Sequence, residues 1–411
     1  MSDPVSPVPP PLRGLRVLEL GHYVAAPFAA RVLADLGADV IKIEPPGTGD
    51  AVRSWGLQKD GRSVFWSVLG RNKRSVTLNL REAAARAIVL ELVRHCEVVI
   101  ENYRPGQLEK WGLGPDALNA ARPGIVVVRI SGYGQTGPHA ARAGFGVIGE
   151  AKGGIRYLTG YPKEVSDLPP VRAGVSFGDS VSGLYGAIGA LAAVLDQRAT
   201  RTTRARVLDV ALGESVLSLL DGTLPEYGIS GHVREPMGAG TPLAAPTSAY
   251  RCADQSWVLI AANSDPLWRA LAEVMGQPAL ADDPRFIDNQ RRVQNVAALD
   301  RLIGEWTGAR SSGEVLERVE AANIPASKIY SIADVAADPQ FLARHMVAEV
   351  DDPGLGRVLH PGAVPVVEGL DRDAQIRWPG PAVGAHTDEV LSGLLGYDAT
   401  KISDLKKKGL V

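Results

Sequence analysis

Only two cysteines, Cys96 and Cys252, occur in the 411 residues. That excludes a disulfide framework and a zinc site built on paired cysteines. The seven histidines are scattered, with no HExxH and no His/carboxylate pair at ligand spacing, so no metal motif is present. Neither sign of charge dominates. Against 46 Asp+Glu stand 44 Lys+Arg, for a formal net charge of -2, which argues against a dedicated nucleic-acid binder. A local cationic cluster for a small anion remains compatible with that total. The most apolar stretch, 183–195, is too short and too interrupted by glycine to span a bilayer. Residues 1–11 are proline-rich and lack an apolar signal core, so they are expected to be a disordered lead-in. The expectation is a cytoplasmic protein with no membrane partner, no nucleic-acid partner and no metal.

What is present is enough apolar material for a large core: 45% hydrophobic and 22% charged residues, the ordinary balance of a globular chain. Strand-like runs at 15–20, 39–44, 75–80, 97–101, 124–130 and 206–211 alternate with helical patterns at 27–36, 81–95 and 180–197. Such alternation predicts an α/β fold with a mainly parallel sheet covered by helices. A further helix is expected from 214 to 227. The character then changes. A loop rich in Gly, Pro and Ala (231–246) precedes a hairpin at 248–262 and three helical patterns. The expected organisation is a large domain over 12–227, a smaller α+β domain over 228–325, and a return to the large domain over 326–411.

The chemistry is harder to place. After the first strand the chain reads Gly21-His22-Tyr23-Val24-Ala25-Ala26-Pro27, which is not GxGxxG, and no P-loop occurs. A nicotinamide or flavin enzyme is therefore disfavoured. There is no GxSxG elbow. The local feature of most interest is Gly178-Asp179-Ser180-Val181-Ser182-Gly183, an acidic residue opening a long apolar helix. Asp179 has two readings. It caps the orphan amides of the helix, or it is a nucleophile that those amides keep ionised and aimed. Arg71-Asn72-Lys73-Arg74 is either a solvated charge run or a set of phosphate contacts. Arg104-Pro105-Gly106 and Lys110 follow a strand C-terminus, where open α/β sheets bind ligands.

Taken together, several segments resemble the class III CoA-transferase family (CaiB/BaiF-like), the formyl-CoA and carnitine CoA-transferase group that also includes α-methylacyl-CoA racemase. They are LRGLRVLELGHYVAAPFAARVLADLGADVIKIEPPGTGD at 12–50, GRNKRSVTLNL at 70–80, EVVIENYRPG at 97–106, ISGYGQTGP at 130–138, GDSVSGLYGAIGALAAVL at 178–195 and PAVGAHTDEVLSGLLGY at 381–397. The resemblance implies a Rossmann-like large domain without the dinucleotide fingerprint, a smaller domain, and a ring-like interlocked homodimer. It makes Asp179 the catalytic nucleophile, which attacks an acyl-CoA thioester to form a mixed anhydride. It also implies a coenzyme A thioester as substrate and no permanently bound cofactor. Family contacts with CoA fall on His22, Tyr23 and Ala25, on Leu78 and Arg81 around the adenine, and on Asn102, Tyr103, Arg104 and Lys110 for pantetheine and phosphate. Pro45-Pro46 stands where the family often has a basic residue, so Lys73 or Arg74 is expected to supply that phosphate contact. The loop Gly238-Ala239-Gly240 is a candidate for oxyanion stabilisation, with Gly238 and Gly240 near the substrate.

Two features select a branch. Racemases of this family typically read Gly-His-Asp where this chain has Gly144-Phe145-Gly146, and a phenyl ring cannot abstract a proton. The second half, notably DPRFIDNQRRVQN, looks most like transferases using succinyl-CoA and small dicarboxylic acids such as citramalate, malate and glutarate. The expected activity is transfer of CoA from succinyl-CoA to a small dicarboxylic acid. A 2-methylacyl-CoA racemase and a non-catalytic CoA-binding protein are the alternatives. A dicarboxylate needs a cation for the carboxylate that does not react, and Arg53, Arg172 and Arg234 are the candidates.

Overall fold

Six segments pair side by side in one parallel sheet: β1 (Arg16–Glu19), β2 (Asp39–Glu44), β3 (Lys73–Thr77), β4 (Val98–Glu101), β5 (Val126–Ser131) and β6 (Arg206–Ala211). The computed structural model describes residues 8–411. The strand order is β3-β2-β1-β4-β5-β6. This is the order of dinucleotide-binding sheets, and it reverses direction between β1 and β4. Successive side chains point to opposite faces, so each strand feeds two cores. Leu18, Val99 and Val127 pack with α2 (Ala83–Val93) and with apolar residues of the C-terminal helices Thr387–Leu395 and Ala399–Lys407. Val17, Val98, Val126 and Val128 pack on the other face with α1 (Ala25–Asp35) and with the long helix α4 (Phe177–Thr200). By length and composition α4 could cross a membrane, but half of its most apolar window is buried, and it packs as a core helix. It is longer than the sequence pattern predicts because it begins at Phe177, ahead of its apolar stretch.

The described chain divides into two units. The first comprises residues up to Arg156, Arg172–Gly231 and Pro339–Val411; the second comprises Tyr157–Val171 and His232–Asp338. The expected boundaries at 228 and 325 therefore shift to 232 and 338, and the excursion 157–171 has no counterpart in the sequence reading. The second unit holds an antiparallel sheet of Thr247–Arg251, Trp257–Ala261 and Ala326–Lys328. Its buried Arg292 donates to the carbonyls of Ala245 (2.8 Å), Phe286 (3.1 Å) and Asn263 (2.9 Å) and to the Asp265 carboxylate (2.8 Å). The stretch DPRFIDNQRRVQN thus contributes a clamp on its own unit.

Two local expectations need correction. Residues 1–7 of the lead-in lie outside the described residues. Residues 8–11 do not behave as a disordered lead: the Val8 amide donates to the Gly369 carbonyl (3.2 Å), and Pro10 fills the space left by Gly37, whose φ of +102 favours glycine. The helix expected over 214–227 is two helices, α5 (Leu212–Leu217) and α6 (Thr223–Ser230). The first ends at Leu217, and Asp221 adopts φ 47 in the connection, so the two cannot run on as one helix.

Beneath the C-terminal ends of β1 and β2 lies a buried set of charges. The Lys42 ammonium donates to Glu19 (2.7 Å), to the Gly21 carbonyl (2.9 Å) and to Asp50 (2.7 Å). Lys73 donates to the other Glu19 oxygen (2.8 Å) and to the Pro27 carbonyl (2.7 Å). Glu44 accepts from Arg53 (2.6 and 2.8 Å), from Ser75 (2.5 Å) and from the Asp50 amide (2.8 Å). Burial opposes the charge on Lys42, but Asp50, Glu19 and Glu44 outweigh it and hold the ammonium's pKa above its ordinary value. Replacing Lys42 by methionine keeps the volume, takes from buried Asp50 its cation and leaves Glu19 with Lys73 alone. Lys42→Met is expected to destabilise the protein by about 3–5 kcal/mol, read from the midpoint of urea unfolding. A change below about 1 kcal/mol would show that the network is not held together by this ammonium.

Candidate active site

The reversal of strand order opens a crevice between the ends of β1 and β4, and the turn after β1 forms its floor. That turn is held from three sides. Asn102, just beyond β4, accepts from the His22 amide (2.8 Å) and donates to the His22 carbonyl (2.7 Å). Asp50 accepts from the Tyr23 amide (3.1 Å). Lys42 holds the Gly21 carbonyl, as described above. These contacts keep Tyr23 at φ 61, a left-handed conformation that a tyrosine rarely adopts unaided. Asn102 is thus a brace for the turn, with its donor and acceptor both spent on the backbone of residue 22.

Two cavities meet at this turn and share His22, Tyr103 and Trp111. The larger, about 760 Å³, extends past Pro45, Pro46, Leu78 and Arg81. The smaller, about 470 Å³, extends past Tyr23, Ala25, Asn102, Arg104 and Phe145 to Asp179. The walls are aromatic. The His22 ring lies 4.7 Å from Tyr23 and 5.0 Å from Tyr103, and Tyr103 meets Trp111 edge-on at 5.0 Å. Burial lowers the His22 pKa, with Asp50 opposing and Lys42 assisting, so its imidazole is neutral near pH 7. Its buried Nδ1 has no hydrogen-bond partner among the described residues.

Asp179 stands in the first turn of α4. It does not act as the cap: the N-cap is Ser176, and no described residue hydrogen-bonds to the Asp179 carboxylate. The amide of Gly178 donates to Glu150 (3.3 Å), that of Phe177 to the Val175 carbonyl (2.9 Å) and that of Ser180 to the Ser176 carbonyl (3.0 Å). Burial pushes the Asp179 pKa up to about 6; the charge of Glu150 pushes the same way, and Arg172 opposes both.

Of the residues expected to touch a CoA ligand, His22, Tyr23, Ala25, Leu78, Arg81, Asn102, Tyr103 and Arg104 line these cavities. Lys73 and Arg74 do not. Lys73 is fully buried on Glu19, and Arg74 turns to the N-terminal end of the neighbouring strand, where it grips Asp39 at the start of β2 (2.6 and 2.9 Å). The cations at the cavities are Arg81 and Arg104, both exposed. Lys110 is exposed at the end of the turn Gln107–Lys110 and lines neither cavity. Arg53 is spent on Glu44 and on the Pro381 carbonyl (2.9 Å), which removes it as a dicarboxylate ligand. Gly238 and Gly240 belong to the second unit. There Gly238 has φ +68, its amide donates to the Gly160 carbonyl (2.8 Å), and it abuts the Tyr161 ring. Trp111 and the left-handed Tyr23 turn escaped the sequence reading. For Trp111 the available signal was an aromatic shortly after the C-terminus of a central strand.

Comparison with known proteins adds the family. CoA-transferase family III matches residues 12–387. The chain is 44% identical over 404 residues to a succinyl-CoA–D-citramalate CoA-transferase of Chloroflexus aurantiacus, covering 98% of each. It is 37% identical over 403 residues to the alpha subunit of a succinyl-CoA–L-malate CoA-transferase of that organism, covering 98% of this chain and 92% of the relative. Among solved structures, a CAIB/BAIF family protein from Brucella suis superposes with a TM-score of 0.80 at 34% identity, covering 93% of this chain and 99% of that one.

A carboxyl whose pKa is raised by folding costs stability when it is ionised. The cost is absent below pH 4, where the group is protonated both folded and unfolded, and complete above about pH 6. A rise from 3.8 to about 6 sets its ceiling at about 3 kcal/mol. Asp179→Asn is therefore expected to be more stable than the wild type at pH 8 by about 1–3 kcal/mol, with the gain fading below pH 4 in urea unfolding. Equal stability at pH 8 would show that the fold does not strain this carboxylate.

Proposed function

Because the chain belongs to CoA-transferase family III, we propose that it moves coenzyme A from succinyl-CoA to a small dicarboxylic acid, with Asp179 as the nucleophile. The observation that carries this reading is the position of Asp179. It is a carboxylate without hydrogen-bond partners among the described residues, in the cavity that runs from the switch point of the sheet. Arg81 and Arg104 supply positive charge for the phosphates. The neutral His22 and the aromatic walls supply contacts for the adenine and pantetheine arms.

In the proposed cycle an Asp179 oxygen attacks the thioester carbonyl, the C–S bond breaks, and CoA leaves as the thiolate. The product on the enzyme is a succinyl–aspartyl mixed anhydride. The thiolate then attacks the aspartyl carbonyl, which releases succinate and leaves an aspartyl-CoA thioester. The acceptor carboxylate attacks this carbonyl, expels the thiolate again, and forms the acceptor anhydride. Attack of the thiolate on the acceptor carbonyl gives the new acyl-CoA and frees Asp179. A carboxylate is a weak nucleophile, so the thioester must be held tightly and its oxyanion stabilised. The Asp179 amide is the remaining donor of its turn for that purpose. For the carboxylate that does not react, Arg172 is favoured over the other candidate cations, because its charge already acts on Asp179.

The racemase reading lacks its base, since Phe145 and Gly146 bear no ionisable group. An interlocked homodimer fits the apolar surface of α4, where Leu184, Ile188 and Leu195 are 44, 61 and 68% exposed in the single chain. Incubation with succinyl-CoA is expected to add mass to the intact protein, as an adduct that hydroxylamine discharges. Asp179→Ala is expected to form no adduct and to lose CoA transfer to dicarboxylic acids by at least about a thousandfold. Wild-type transfer rates in Asp179→Ala would overturn the mechanism. Solvent deuterium entering Cα of a 2-methylacyl-CoA without an acceptor acid would favour the racemase. CoA binding without turnover of any thioester would favour the non-catalytic alternative.

A further inference from the structure

A nucleophilic carboxylate must be seated as well as ionised, and Asp179 has no hydrogen-bond partner among the described residues to seat it. Its position is set instead by close packing of α4 against α3 (Gly146–Lys152). A methyl group built on Gly146 would fall 2.5 Å from the Asp179 Cγ and 3.0 Å from Oδ1, and closer still to Oδ2. The carboxylate therefore rests on the bare backbone of residue 146. The approach is mutual. A Cβ on Gly178 would lie 2.7 Å from the Gly146 carbonyl oxygen and 3.3 Å from the Glu150 Cγ. Gly149 and Gly153 admit Leu212 and Val216 of α5 in the same way, so α3 is wedged between α5 and α4.

One turn along the same face of α3 stands Glu150, only 2% exposed. It accepts from the Gly178 amide (3.3 Å) and from Arg156 (2.8 Å). Neither contact is needed for helix formation in α3. Both fix the carboxylate where it braces the first turn of α4 and opposes the charge on its neighbour.

We propose that Gly146 and Glu150 are positioning residues for Asp179: Gly146 is the seat of the reactive carboxylate, and Glu150 anchors the turn that carries it. The inference rests on the reading of Asp179 as the nucleophile. Position 146 then has a role in specificity. A side chain there requires the carboxylate to turn away from the thioester, so a glycine at this place favours acyl transfer to Asp179 itself.

The groups acting on Asp179 are Glu150 from α3 and Arg172 from the segment ahead of α4. His22 and Tyr23 from the first turn, with Tyr103 and Arg104 from beyond β4, face it across the cavity. Only Glu150 changes in the test. Glu150→Gln keeps the acceptor for the Gly178 amide and removes the negative charge, so the acid limb of kcat/KM should move to lower pH by about half a unit or more. Gly146→Ala should lower kcat about 10- to 100-fold, with KM for succinyl-CoA within twofold and the limb unmoved. Should Gly146→Ala be less stable than wild type, adding it to Asp179→Ala is expected to cost no stability, because the carboxylate it collides with is gone. The positioning roles fall if Gly146→Ala turns over like wild type, or if Glu150→Gln leaves the acid limb in place. In either case a hydroxylamine-labile adduct on the wild type would still support Asp179 as nucleophile, whereas its absence would remove the premise.

Discussion

The site depends on one buried ammonium. Lys42 points from β2 under the turn that follows β1, and its three protons reach Glu19, Asp50 and the Gly21 carbonyl. Each acceptor belongs to a different part of the crevice: the first strand, the loop after β2, and the turn itself. Asp50 in turn holds the left-handed Tyr23, and Tyr23 forms a wall of the cavity that contains Asp179. A neutral residue at 42 could fill the same volume. It would take from buried Asp50 its cation, which is costly, and leave Glu19 with Lys73 alone. The network therefore sets the shape of the cavity from beneath.

This also explains which parts of the sequence were legible. The alternation of apolar strands and helices follows from periodicity, and both sheet faces are covered, so the six strands could be placed within three residues. The basic segment Arg71-Asn72-Lys73-Arg74 looked like phosphate ligands because its partners are remote in sequence. Arg71 pairs with Asp35, Lys73 with Glu19 and Arg74 with Asp39, each more than 30 residues away. Spacing along the chain carries no trace of such pairings. The excursion 157–171 was invisible for a related reason, since membership of a packed unit is a tertiary property. Asp179 itself was ambiguous from its residues alone: a capping carboxylate and a nucleophile at a helix start share one local pattern. Geometry removes the capping reading, because Ser176 occupies the N-cap position, and it leaves the carboxylate lining a cavity.

The near-neutral composition has a similar resolution. A CoA thioester is strongly anionic, yet the chain carries no net positive charge to attract it. Most of the basic residues around the sheet are committed to carboxylates: Lys42, Arg53, Arg71, Lys73 and Arg74 all have such partners. Arg81 and Arg104 remain at the cavities, and a helix-bearing sheet edge adds its own dipoles. Two placed cations at a low-dielectric rim are worth more to a phosphate than a diffuse basic surface, which salt would screen.

The degree of burial of Asp179 reflects two opposing demands. A carboxylate stripped of water is a better nucleophile, and an anhydride formed in a dry cavity is protected from hydrolysis. Full burial without a cation would leave the group protonated at neutral pH and chemically silent. At a pKa of about 6, about nine-tenths of the molecules hold the anion at pH 7. Glu150 and Arg172 act in opposite senses on that value, and neither forms a hydrogen bond to the carboxylate that would have to break on attack. In the proposed cycle, a direct ion pair to Asp179 would stabilise the fold more, but it would also stabilise the ground state of the nucleophile and raise the barrier to acylation. Packing against a bare glycine holds the group in place without lowering its reactivity.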